Sequence, residues 1–252
     1  MTAPITILHR RNKVEMLSAL PSGAWVEIDI DLLNGVPVLT HDPIKSTSAA
    51  PERLADYLPQ AIRRGVAGFV LDCKRENAER PVEAILAEHK IVDYFYINEM
   101  EIQGDMRLAR ERMHKTAIRI WQYRGARDLL RYVEDTRKAK ENGPNWAWVD
   151  CWQRGLSEGI GRAFIPLTQT DAHALQRLEV KLCICSPELY AHRYDVTYKA
   201  GELEEIYRGV VNYRKKLMHV GIQPEAACTK FPWLWTMDID LLLKAKALGL
   251  GG

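Results

Sequence analysis

Glu27 and Asp29, in the run Trp25-Val26-Glu27-Ile28-Asp29-Ile30, are spaced for chemistry. Residues two apart in an extended strand project from the same face. Both carboxylates therefore point one way, and Val26, Ile28 and Ile30 point the other. Two inward-facing acids cannot both stay charged without a cation or hydrogen-bond donors. A divalent metal is the simplest solution, and hard oxygen ligands favour Mg²⁺, Mn²⁺ or Ca²⁺, with Mg²⁺ the leading choice. Similar residues cluster nearby in the sequence. His9-Arg10 closes the first apolar run. Asn34-Gly35 is a tight-turn signal. It would fold Val36 to Thr40 back over the Glu27/Asp29 strand and bring His41-Asp42 to the same edge. Asp72 and Lys74 are again two apart. Each piece has a plainer reading: a solvent-facing alternation, a turn-starting histidine, a solvated lysine. Their common placement at successive strand ends favours the chemical one.

Those strand ends come from a recurring pattern. Eight short apolar runs, each β-branched or aromatic, alternate with helical stretches: Ile5 to His9, Ala24 to Ile30, Gly68 to Lys74, Tyr94 to Asn98, Ala117 to Gln122, Trp146 to Trp152, Leu182 to Ser186 and Ala226 to Phe231. Near-continuous apolar strands are the mark of a parallel sheet covered by helices. Leu54, Leu58 and Ile62 share one predicted helix face, and Ile206, Val210, Tyr213 and Leu217 share another. Asp171 reads as an N-cap, Gly65 and Gly221 as helix stops, and Asp238 to Leu248 as a last helix. Only Asn12 to Leu20 separates the first two runs, so the first unit is cramped. Eight βα units in 252 residues predict a closed (β/α)₈ barrel, the TIM-barrel architecture, as a single domain over residues 1–252. Such barrels carry their sites at the C-terminal ends of the strands, which is where the polar residues fall.

Composition narrows the classes. Lys+Arg number 35 and Asp+Glu 33, a net charge of +2, which argues against a dedicated nucleic-acid binder. No apolar run approaches the ~20 residues of a membrane span. The N-terminal charges follow the short apolar stretch, the reverse of a signal peptide. Five scattered cysteines, Cys73, Cys151, Cys183, Cys185 and Cys228, read as reduced thiols. A cytoplasmic location is the expectation.

The ordered set His9-Arg10, Glu27-x-Asp29, Asn34-Gly35-Val36-Pro37-Val38, His41-Asp42 and Asp72-x-Lys74 resembles the glycerophosphodiester phosphodiesterase family and its relatives among the phosphatidylinositol-phospholipase-C-like barrels. The match spans residues 9 to 74, with an echo at Thr229-Lys230-Phe231-Pro232 of the family's final T-D-x-P. The resemblance implies a metal-dependent phosphodiesterase. Glu27, Asp29 and Asp72 would ligate one divalent cation, His9 and His41 would form the acid/base pair, and Arg10 and Lys74 would hold phosphate oxygens. The chemistry agrees: a metal, an arginine and a lysine stabilise charge on the phosphoryl oxygens, and imidazoles move protons near neutrality. Four departures stand out. Arg11 replaces the glycine after His-Arg, and no E-N-T segment is evident. Asp72 stands where most members have Glu, as in the spider-venom phospholipase D branch. Lys230 stands where the last motif has Asp. The segment from Asp42 to Ala50 is also much shorter than the usual insertion, which favours a larger diester, such as a lysolipid or phosphorylated glycan, over a free glycerophosphodiester.

Outside the motif, Arg119 would either clamp a substrate anion or pair with a core acid. Trp152 and Trp233, near strand ends, would stack on a sugar, line an apolar lip, or pack in the core. Lys230 would add positive charge near the phosphate, and Glu188 after the seventh run is a further candidate. Three rivals remain: a cyclising lyase at the same site, a barrel that binds a phosphorylated glycan or lipid without turnover, and a decarboxylase-type barrel. The last is suggested by Asp72-x-Lys74-x-x-Asn77 but leaves His9 and Glu27-x-Asp29 unexplained.

Overall fold

The computed structural model describes residues 3–18, 20–42, 50–75, 78–98, 116–120, 126–138, 144–151, 160, 163–191 and 200–239. Its centre is a closed barrel of eight parallel strands: β1 (Ile5–Leu8), β2 (Trp25–Leu33), β5 (Gly68–Cys73), β6 (Tyr94–Asn98), β7 (Thr116–Ile120), β8 (Trp146–Val149), β9 (Lys181–Cys185) and β10 (Ala226–Thr229). β1 closes the ring by pairing with both β2 and β10. All eight expected strands are present.

Side-chain alternation along these strands builds two layers. Ile7, Val70, Phe95, Ala117, Trp146, Trp148, Cys183, Cys185, Ala226 and Cys228 pack together as the barrel filling. The residues between them, such as Val26, Ile28, Ile30 and Leu71, pack outward under the helices. Phe95 stacks on Trp146 at 4.7 Å between centroids and meets Trp148 edge-on at 6.4 Å. This aromatic plug fills the lumen below the site. Trp146 and Trp148 are thus core residues, and the lumen is packed rather than open. All five cysteines are free, and four of them are buried.

β2 outruns the barrel wall. Its last residues, Ile30 to Leu33, pair antiparallel with β3 (Val36–Leu39), which in turn pairs with the short β4 (Glu52–Arg53). Asn34 (φ 52°) and Gly35 (φ 81°) both occupy the left-handed region. Such a turn matches the twist of its flanking strands, as the Asn-Gly pair predicted.

The helices are α1 (Leu54–Arg63), α2 (Glu79–Glu88), α3 (Ala126–Lys138), α4 (Gln169–Arg177), α5 (Glu188–Ala191), α6 (Ala200–His219) and α7 (Trp233–Thr236). Among the described residues between β1 and β2 there is only a 3-10 turn, Val14–Leu17, in keeping with the cramped first unit. Two local expectations need correction. Ile62 is 44% exposed, and α1 buries Leu54, Tyr57, Leu58 and Ala61 instead. Tyr57 turns its ring inward because its hydroxyl reaches the Arg11 carbonyl at 2.6 Å. Asp171 is not the N-cap of α4. Thr168 is the cap, and Asp171 is the third helical residue of a capping box that also binds the Thr168 backbone N–H. Ile206, Val210, Tyr213 and Leu217 are buried as expected. Most of the last predicted helix lies outside the described residues. Among the described residues, no helix is long and apolar enough to cross a membrane.

Candidate active site

The strand alternation that packs Trp25 into the lumen carries Glu27 and Asp29 up the same inward face of β2. On the next strand, Asp72 is the register partner of Asp29. The three carboxylates are nearly fully buried, and each offers an oxygen within 4.8 Å of the others. Burial first, then the neighbouring Asp29 and Asp72 charges, pushes the Glu27 carboxyl well above the usual carboxylate range. Such a set fits a hard divalent cation, because a cation relieves both the desolvation and the mutual repulsion.

Hydrogen bonds hold these acids in place. The Arg10 backbone N–H donates to Glu27 Oε2 at 2.6 Å, and the Arg11 N–H donates to the Glu27 carbonyl at 2.9 Å. Arg10 takes the left-handed conformation (φ 51°), unusual for a residue with a side chain, and this turns the segment back over the end of β1. Asn12 grips Asp29 twice: its amide donates to Oδ2 at 2.7 Å, and its carbonyl oxygen accepts the Asp29 N–H at 2.9 Å. Asn12 was not among the expected site residues. Its only signal in the sequence is a short polar residue in the loop just after His9-Arg10.

Lys74 lies across the acids, with Nζ 2.9 Å from Asp29 Oδ1 and 2.5 Å from Asp72 Oδ2. Burial alone would lower its pKa, but Asp72 and Asp29 outweigh this and raise it. The ammonium is therefore charged at neutral pH. The Arg10 guanidinium approaches Asp29 at 3.8 Å and donates from Nη2 to His41 Nε2. An arginine can only donate, so His41 Nε2 accepts, which places the proton of a neutral ring on Nδ1. That nitrogen lies 3.0 Å from Asp42 Oδ1. His9 sits deeper, its side chain 12% exposed, with Nε2 3.7 Å from Glu27 Oε2. Burial first, then Arg10, Lys230, His41 and Lys74, lowers its pKa well below the usual histidine value, so it is neutral at neutral pH.

The structure thus gathers His9, Arg10, Glu27, Asp29, His41, Asp72 and Lys74 at one rim, with Lys230 close enough to bear on His9 electrostatically. Arg119 is held elsewhere on the ring. Its Nε (2.8 Å) and Nη2 (2.5 Å) both donate to Asp150 Oδ2 at the end of β8. Its side chain remains 28% exposed. Trp233 is 44% exposed and stacks on Tyr207 of α6 at 6.3 Å. Trp152, Asn77 and most of the Asp42-to-Ala50 segment lie outside the described residues.

No family model and no curated protein matches this chain. Among solved structures it is similar to a glycerophosphoryl diester phosphodiesterase from Parabacteroides distasonis ATCC 8503. The TM-score is 0.54 at 15% identity, over 98% of this chain and 87% of that one. The chain shares that enzyme's barrel fold. At this identity the likeness concerns architecture, and the argument about chemistry rests on the residues at the rim.

Proposed function

We propose that this chain is a divalent-metal-dependent phosphodiesterase. The reading rests chiefly on the convergence of Glu27, Asp29 and Asp72, buried and within 4.8 Å of one another, beside two histidines and an arginine. The phosphodiesterase with the same barrel fold supports it. Glu27, Asp29 and Asp72 would hold the cation, Mg²⁺ in the first instance, which supplies Lewis-acid stabilisation of phosphoryl charge. Arg10, at the outer edge of the acids, binds a second phosphate oxygen. Lys74 keeps Asp29 and Asp72 in register and adds positive charge. His9, neutral and desolvated, suits the proton-accepting role. His41 suits the donating role, its ring oriented by the Asp42 contact at Nδ1. Once a phosphate draws the Arg10 guanidinium away, His41 Nε2 is free to take a proton from solvent and pass it to the leaving oxygen.

Lys230 contributes a further cation beside His9 where the resembling family carries an acid. With the short segment after His41, it favours a diester extending beyond the barrel mouth, a lysolipid or a phosphorylated glycan. Such a substrate could reach Arg119 or Trp233. The test is steady-state kcat/KM on a phosphodiester panel, with and without chelator, for wild type and His9→Ala. Metal-stimulated turnover that His9→Ala lowers by at least ~10²-fold is expected. Full turnover after metal stripping would refute the reading. Preference for glycerophosphocholine over every larger diester would refute the choice of substrate. ³¹P NMR of the product separates hydrolysis from cyclisation.

A further inference from the structure

Glu188, the first residue of α5, has no part in the site as described, yet it is 0% exposed at the C-terminal end of the barrel. Its Oε1 accepts two hydrogen bonds from the end of β10: from Thr229 Oγ1 at 2.5 Å and from the Lys230 N–H at 3.1 Å. Thr229 Oγ1 also accepts the Phe231 N–H at 3.0 Å, so one threonine and one glutamate order the whole turn. Ser186, beside Glu188, is fixed from the other side by Trp235 Nε1 at 2.8 Å and by its own N–H on the Cys228 carbonyl at 2.8 Å. The turn they order bears on the rim in two ways. The Thr229 carbonyl accepts the His9 backbone N–H at 3.2 Å, and Lys230 follows directly in the chain.

A buried carboxylate is costly to keep. What Glu188 supplies is acceptor geometry at the end of the last strand, where Thr229 meets the His9 segment. We infer that Glu188 is a positioning residue for the proposed reaction: through Thr229 and the Lys230 amide it fixes the end of β10, and so the placement of His9 and Lys230. This rests on the phosphodiesterase reading, and the experiment separates the two.

Turnover of bis(p-nitrophenyl) phosphate in excess Mg²⁺ is measured for Glu188→Ala, Glu188→Gln and Thr229→Val, each in wild-type and His9→Ala backgrounds. Glu188→Ala and Thr229→Val should lose at least about tenfold in kcat in the wild-type background and about twofold or less in His9→Ala, because an effect that runs through His9 cannot be lost twice. Glu188→Gln keeps the acceptor oxygen and should stay within about threefold of wild type. Equal losses in both backgrounds, no loss, or a glutamine variant as impaired as alanine would overturn the inference. His9→Ala with undiminished turnover would instead overturn the phosphodiesterase reading. A readout independent of turnover is the His9 ring signal in histidine-selective ¹⁵N NMR, assigned by its absence in His9→Ala. It should move in Thr229→Val, a variant of near-identical shape, and hold in Glu188→Gln. An unmoved signal in Thr229→Val counts against the link even if Glu188→Ala does not fold.

Discussion

Replacing Glu27 by Gln should stabilise the metal-free protein while removing its response to metal. Glu27 is 2% exposed, and its folded pKa lies well above the ordinary 4.5, through burial first and then the charges of Asp29 and Asp72. An acid with a raised folded pKa is protonated in the native state while the unfolded chain ionises. Native stability therefore falls as pH rises from 4.5 toward the folded value, at about 1.4 kcal/mol per pH unit. His9 acts in the opposite sense. Its folded pKa is lowered, so stability is lost as pH falls below 6.5. Where the two windows overlap, above 4.5 and below 6.5, the slopes offset one another in wild type. Glu27→Gln removes one of them, so its melting temperature should climb relative to wild type by about 3–6 °C per pH unit in that window, given about 2–4 °C per kcal/mol for a chain of this size. Saturating metal reverses the ranking. At a free concentration a hundred times Kd it should stabilise wild type by about 2.7 kcal/mol, which is about 5–11 °C, and the variant by much less. Thermal melts over a pH series, in chelator and in Mg²⁺ or Mn²⁺, read both effects. Parallel wild-type and variant pH curves would show that Glu27 does not ionise as argued. An unchanged metal shift would remove it from the ligand set.

His41→Ala should cost at least ~10²-fold in kcat, and wild type should show a bell-shaped pH–rate curve; near-normal turnover would end its catalytic assignment. Lys230→Ala removes one of the charges that lower His9, so the acidic limb of that curve should move to higher pH; an unmoved limb would mean that Lys230 does not act on His9 or that His9 is not the base. A methyl group on Gly68 would lie 2.2 Å from the Trp25 ring, so Gly68→Ala should destabilise by about 1–3 kcal/mol, measured by denaturant unfolding; a neutral result would mean that the indole moves freely.

Much of this was legible in the sequence for a physical reason. Strands buried on both faces read as apolar runs, so all eight stood out, and inward acids could be picked from Glu27-x-Asp29 and Asp72-x-Lys74 by the period of two. The Asn-Gly turn announced the β2–β3 hairpin. What failed depended on partners remote in the chain. Tyr57 displaces Ile62 from the buried face of α1 because its hydroxyl has an acceptor at Arg11, which helical periodicity cannot register. Asn12 acts by gripping Asp29, and a single asparagine near a strand end looks the same whether or not it grips anything. For Arg119 both fates were open, and the structure shows the acid it pairs with.

The seam between β1 and β10 joins the earliest and latest strands of the barrel, and the His9 amide is tied across it to Thr229. Nearly all of the candidate chemistry is written between residues 9 and 74, so it leaves the ribosome long before its support does. A nascent chain holding every acid and both histidines would still lack the strand against which His9 is set. Competence should therefore arrive late and abruptly, with the docking of the last strand, rather than grow with chain length. A partly made or clipped chain could collect metal without gaining turnover.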